Sequence, residues 1–464
     1  MPGLFQGLEI GKRALLTHQV TLQTIGHNIS NVNTPGFSRQ RVRVSSSFPE
    51  STPKGAYGTG IQVDDIKHVR DLFLGRQFRE ANKSLGDWSY QEKSLTQIES
   101  LFNEPQDNAL GSLINKFWDS WSDLSTNSDS ANNRRLVVTQ ANQLVNGFQQ
   151  LAHQLTELRE STDRDIKGMT EDVNRMTSEI ARLNQQIAST ELGNQTANDL
   201  RDTRDQITDE LSNIIDVRVL EKSNGGSVVT MGSMVLVDGS DSLEIGTDSV
   251  NNNGVFSNKL VWKGTSVSLR NLSGQLAGLT KSRDEIIPGY LTQLNELASN
   301  IIDKVNELHR SGYGPNGTTG VNFFDPAFKT AGLMRLNQEI VTDINNIAAS
   351  STVDGDNILA LSISDLRNAR TMSGGTQTIN DFYSSIVGNL GVETNKAVSF
   401  KDNYELLLHQ IENSRQSVQG VSLDEEMSNM IRSQHAYDAA ARVITSFDQA
   451  LDTVINGMGI VGRQ

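Results

Sequence analysis

Cysteine is absent from all 464 residues, which removes disulfides, thiolate nucleophiles and cysteine-ligated zinc together. No stretch approaches the roughly 18 consecutive apolar residues of a membrane span, so no membrane insertion is expected. Nor does the N-terminus read as a cleaved secretion signal, because Lys12 and Arg13 interrupt its apolar pattern. Basic charge is in deficit: 41 Lys plus Arg face 55 Asp plus Glu, for a net charge of −14. With no basic block to neutralise phosphates, nucleic-acid binding is not expected. Aromatic residues make up 6% and mean hydropathy is −0.40, which fits a long, much-exposed molecule better than a compact globule. The length exceeds what one core usually serves, so two to four domains are expected.

Catalytic patterns are also missing. His18, His27, His68, His153, His309, His409 and His435 are scattered, with no metal-ligand spacing on one helix face. Gly312 to Gly320 is glycine-rich, but no Lys-Ser/Thr follows a closing glycine as a phosphate cradle requires. Asp354-Gly355-Asp356-Asn357 begins like a calcium loop without its spacing or terminal Glu, so a turn is expected. Asp199, Asp202 and Asp205 share a helix side, and the interleaved Arg201 and Arg204 predict local ion pairs there. No cofactor, metal site or enzymatic activity is expected.

What the chain does have is apolar seams at its two ends. Leu4, Leu8, Gly11, Leu15, His18, Leu22, Ile25 and Ile29 alternate steps of four and three, the pattern of a coiled-coil-forming helix. The same rhythm runs through Leu423, Met427, Met430, Gln434, Tyr437, Ala441, Ile444, Asp448, Leu451, Ile455 and Met458. Each helix is marginal alone, since helical stability comes mostly from packing an apolar face. The simplest partner for one end is the other. Because such seams sit where most domains fray, assembly with copies or neighbours is expected over a closed hairpin. Gln434 and Asp448 would set register at some cost in stability.

Between the ends, helix 1 stops before Pro35-Gly36, and 41–44 and 61–66 read as short strands that could pair, with a Ser/Pro/Gly-rich loop between. Helices are expected from about Val69 to Leu85 and over 88–125, the latter broken at Pro105. Ala131 to Glu191 reads as one helix, roughly 90 Å long. Asn198 to Ile214 is another helix, and 215–270 switches to strand period with Gly/Asn separators. A further helix enters through Pro288, and others cover 379–389 and 398–419. The expected fold is mainly α: an elongated multi-domain protein with paired coiled-coil-type terminal helices, a long-helix bundle and a small inserted β-rich module. The expected divisions are 1–44 plus 420–464 for the terminal helical domain. The bundle takes 45–214 plus 271–419, irregular over 312–375, and the module takes 215–270.

The segment Thr24-Ile25-Gly26-His27-Asn28-Ile29-Ser30-Asn31, running into Asn33-Thr34-Pro35-Gly36-Phe37-Ser38-Arg39-Gln40, resembles the N-terminal signature of bacterial flagellar axial proteins. His27 stands where that family often has Asn. Asn198 to Gln206, Gly274 to Gly314 and Gly420 to Glu426 are similar to the hook-associated branch at the hook–filament junction. The resemblance implies a structural, extracellular flagellar protein, exported unfolded through the type III apparatus and polymerising with copies of itself in a ring. It further implies the hook protein and the second junction protein as neighbours, and an export chaperone on the C-terminal helix. The assembly residues it implies are Leu4, Leu8, Leu15, Leu22, Ile25, Asn28, Ile29, Asn31, Gly36 and Phe37. At the other end, Leu423, Met427, Met430, Gln434, Tyr437, Ile444, Leu451 and Ile455 serve both assembly and the chaperone. Two alternatives stand beside it. One is a hook or distal-rod subunit; the other is a cell-wall hydrolase using Glu221, Asp238, Asp241, Glu244 or Asp248.

Overall fold

The computed structural model describes residues 2–457 apart from 53–54, 104–105, 108, 194, 253–254, 266, 271 and 354. Pro105, Asp354 and Met458 lie outside the described residues, as does the side chain of Leu4.

In chain order, α1 (Pro2–Ser30) leads to β1 (Gln40–Ser46), β2 (Glu50–Thr52), β3 (Gly55–Tyr57) and β4 (Ile61–His68). Next come α2 (Leu72–Phe102), α3 (Leu110–Thr126), α4 (Ala131–Glu191) and α5 (Asn198–Ile214). The strands β5 (Arg218–Glu221), β6 (Ser227–Met231), β7 (Met234–Asp238), β8 (Asp241–Ser242), β9 (Ile245–Asn252) and β10 (Val255–Trp262) follow. The chain ends with α6 (Gln275–Lys281), α7 (Ile287–His309), α8 (Gln338–Thr342), α9 (Ile358–Asp365), α10 (Ile379–Gln419) and α11 (Leu423–Asp452).

Helix α4 keeps the expected bounds and runs beneath two apolar clusters. Its first half, through Leu144, Phe148, Leu151 and Leu155, packs with α3, α7 and α10 around Trp118, Trp121, Phe323 and Phe324. Its second half, through Ile166, Val173 and Ile180, packs against α5, α6 and the strands at Val229, Leu236, Leu260 and Trp262. The inserted strands form a β5-β6-β7-β8 sheet and a separate β9-β10 hairpin. β1 and β4 pair antiparallel, Gln40 opposite His68, with a bulge between Arg43 and Val44. The stretch read as loop between them holds the small β2–β3 hairpin.

Three helices are more continuous than the sequence predicts. α2 runs unbroken through Gly86, where a break was expected, because a Cβ there would sit 2.1 Å from the carbonyl oxygen of Asn213. The glycine is a close-approach point, not a stop. α10 likewise joins 379–389 to 398–419, since its buried face continues through Ile386, Leu390, Thr394 and Ala397. Pro288 does not open a helix either. α6 continues into α7 through a π-helical turn, Ser282–Ile286, just before the proline. A wide turn is a common way to accommodate an irregularity within a continuing helix.

Candidate functional site: a helical stem and its polar joint

The two terminal helices pack antiparallel within one chain. Phe447 lies over Gly7, where a Cβ would come within 2.2 Å of the ring, and Ile444 fills the notch at Gly11. On α11 the covered face is Glu426, Met430, Ser433, Tyr437, Ala440, Ile444, Phe447 and Leu451, again in steps of four and three. Half of that register is the one read from the sequence: Met430, Tyr437, Ile444 and Leu451 all face the pair. The other half is displaced by one residue. Leu423, Met427, Gln434 and Ile455, expected in the seam, are exposed, with Met427 57% accessible. The glycines of α1 receive the large residues Phe447 and Ile444, while Ser433 and Ala440 are buried between them and Glu426 along the same face. An apolar-stripe search passes over these. On α1, Ile25 is buried, while Leu8, Leu15, Leu22 and Ile29 are half-buried at the edge of the contact.

The signature residues after α1 tie the pair to the strands. Asn28, 1% accessible, accepts from the Gln40 N–H through Oδ1 at 2.9 Å and donates through Nδ2 to the Gln40 carbonyl at 2.9 Å. The same Nδ2 lies 3.2 Å from Oε2 of the buried Glu426. Arg39 closes the node, with Nε 3.0 Å from Glu426 Oε1 and a two-pronged bond to Glu425 at 2.7 and 2.8 Å. That bond holds the Glu425 carboxyl below its usual range. Asn31 donates to the His27 carbonyl at 3.0 Å, and Phe37 meets the His27 ring edge-on at 5.4 Å. Gly36 has φ +79° and passes so close to α5 that a Cβ would lie 2.6 Å from Gln206 Oε1. Neither Arg39 nor Glu426 stood out as an assembly residue in the sequence, because an isolated charge has no period.

Helix α5 receives this stem. Asp199 accepts from Gln40 Nε2 at 2.7 Å and lies 3.2 Å from His27 Nε2. Asp202 accepts from the Ser38 N–H at 2.9 Å and meets His68 Nδ1 at 2.8 Å. Asp205 pairs with Arg70, and Asn198 accepts from the His68 N–H while donating to the Ile66 carbonyl. The expected local pairs with Arg201 and Arg204 are therefore largely replaced. Arg201 binds Glu191 on α4, and the fully buried Arg204 reaches Asn184, the Gly225 carbonyl and Glu221. Residues i and i+3 share a face, so the carboxylates line up toward the stem while Arg201 and Arg204 turn toward α4 and the strands, with Arg204 staying within 3.6 Å of Asp205. Below the row, Asp209 gathers Arg79 at 3.0 Å, Arg415 at 2.9 Å and Arg70 at 3.7 Å.

Among the described residues, three acids of the strand module are taken up by ion pairs. Glu221 is bound to Arg204, Asp238 to Lys222 and Glu244 to Lys263, each as a separate pair. The turn before α9 is built by Asp356, whose carboxylate accepts from the N–H groups of Ser351 and Ile358.

Residues 95–324 match the family model of the flagellar hook-associated protein FlgK helical domain. Residues 414–457 match that of the flagellar basal body rod FlgEFG protein C-terminal region. Over the full length of both chains, the sequence is 32% identical to flagellar hook-associated protein 1 of Bacillus subtilis. It is 23% identical to flagellar hook-associated protein 1 of Salmonella typhimurium, covering 94% of this chain and 97% of that one. The fold is similar to that of the flagellar hook junction protein FlgK from Burkholderia pseudomallei. The TM-score is 0.64 at 17% identity, over 74% of this chain and all of that one.

Proposed function

The chain belongs to the flagellar hook-associated protein 1 family, structural proteins of the hook–filament junction, and from that premise we propose that its stem polymerises with copies of itself in a ring. In this reading the ring adapts the hook on one side to the second junction protein on the other. The protein is part of the flagellum outside the cell. It travels there unfolded through the type III apparatus, its C-terminal helix held by an export chaperone beforehand. Its role is mechanical and not catalytic.

One observation carries the assembly reading. α11 has two apolar faces, and α1 covers only one. Leu423, Met427 and Ile431 stand 46, 57 and 54% accessible on the outer side of α11. Their steps of four make one stripe along the helix. Exposed stripes of this kind mark interaction sites.

The test is to substitute Met427→Glu and Ile431→Glu together and follow self-association by sedimentation and motility in cells lacking the native protein. Lost association and lost motility in a normally folded chain is the expected outcome. Unchanged association would overturn the role of this face.

A further inference from the structure

The stem and the body are joined without a shared core. Among the described residues, neither buried apolar cluster contains any residue of 1–71 or 420–464. The chain crosses between the two parts at 69–71 and at 420–422. Among the described residues, the crossing is tied by a set of hydrogen bonds and ion pairs. Asp199, Asp202 and Asp205 bind Gln40, His27, Ser38, His68 and Arg70, and the Arg39 N–H donates to the Gln419 carbonyl at 2.9 Å. Each side meanwhile has packing of its own. α1, α11, β1 and β4 hold one another, and the two clusters lie wholly in the body.

We propose that α5 is a latch: its carboxylate row sets the angle between stem and body, and its release lets the stem swing about the two crossings while both parts stay folded. Polar interfaces between parts with separate cores allow relative motion by default, and hinges need only a few residues at element ends. Charge-assisted hydrogen bonds hold such a joint at a defined angle. Asp199 meets His27 near solvent, while the Asp202–His68 and Asp205–Arg70 pairs are largely buried, so neutralising the carboxylates, rather than adding salt, releases the joint. Gly420, between α10 and α11, and the short link before α2 are where the backbone would turn. This reading does not need the ring. A protein seated between two dissimilar partners would use the same stem at more than one angle.

The absence of cysteine makes the test direct. Spin labels at Gln19→Cys on α1 and Lys167→Cys on α4, both exposed positions, report the stem–body distance in the full chain. The expected result is a narrow distribution that broadens with D199N/D202N/D205N. Thermal melting of the body should stay unchanged. A disulfide formed by Ser38→Cys with Asp202→Cys in the D199N/D205N background should narrow the distribution again. A distribution indifferent to neutralisation would overturn the latch. So would a body that melts along with the joint, since the row would then be part of the body's own fold. Sedimentation of the same variants separates this outcome from loss of self-association.

Discussion

Asn28 and Glu426 stand 398 residues apart in sequence and meet at 3.2 Å in the stem. Glu426 is 2% accessible, so its carboxylate is taken out of water and held by Asn28 and Arg39. The pair sits where α1 ends and α11 begins, with the Gln40 backbone bound to the same Asn28. It therefore fixes the register of both helices and of β1 at one point.

Removing one partner of such a node leaves the other buried and unpaired, which typically costs about 3–5 kcal/mol. Asn28→Ala and Arg39→Ala are thus expected to speed hydrogen exchange across α1 and α11, with Glu426→Gln milder than either. Exchange in α4 should stay slow throughout. Equal protection of α1 in the Asn28→Ala chain would show that the node is not what closes the stem.

Gly7 is the second point of closure. A methyl group there collides with Phe447, so Gly7→Ala should weaken the helix pair by about 1–3 kcal/mol. Pairing it with Phe447→Leu should recover part of that loss. The non-additivity of the two changes is the quantity to measure, since residues in contact couple and distant ones do not.

In the body, Gly86→Ala places a Cβ against the backbone of Asn213, which cannot rotate away. A loss of about 2 kcal/mol is expected, read as a lower urea midpoint. Gly168→Ala, on the open side of α4 with nothing within 4 Å, should be neutral or stabilising by up to about 1 kcal/mol. The contrast between two helical glycines tests packing against propensity.

His309 makes the body acid-sensitive. Burial lowers its pKa from 6.5 to about 4. As the neutral ring it donates from Nδ1 to the Val321 carbonyl at 2.8 Å and accepts from the Ala348 N–H at 3.0 Å. Between those two pKa values the unfolded chain binds the extra proton, so stability is full above about pH 6.5 and falls as pH drops toward 4. About 2 kcal/mol should be lost between pH 7 and pH 5. Denaturant unfolding across that range should show the slope, and His309→Gln should flatten it.

The sequence by itself determined the lengths and faces of the long elements. Residues 131–191 carry an apolar rhythm that only one continuous helix can bury, and the terminal seams require a partner because neither helix is stable alone. The signature around Asn28 and Gly36 marked the end of α1 because a proline and a left-handed glycine leave few backbone options. Tertiary structure decided what no period encodes. Whether Gly86 interrupts a helix depends on the carbonyl of Asn213 waiting opposite it. The seating of Phe447 and Ile444 on the inner face of the stem depends on Gly7 and Gly11 of α1. The partners of Asp199, Asp202 and Asp205 were undecidable from the chain, because a carboxylate at helical spacing can serve a neighbour on its own helix or a strand 130 residues away. Local rules act within a few turns. The joint between stem and body is made of polar contacts between distant segments, whose energies depend on geometry that only the folded chain supplies.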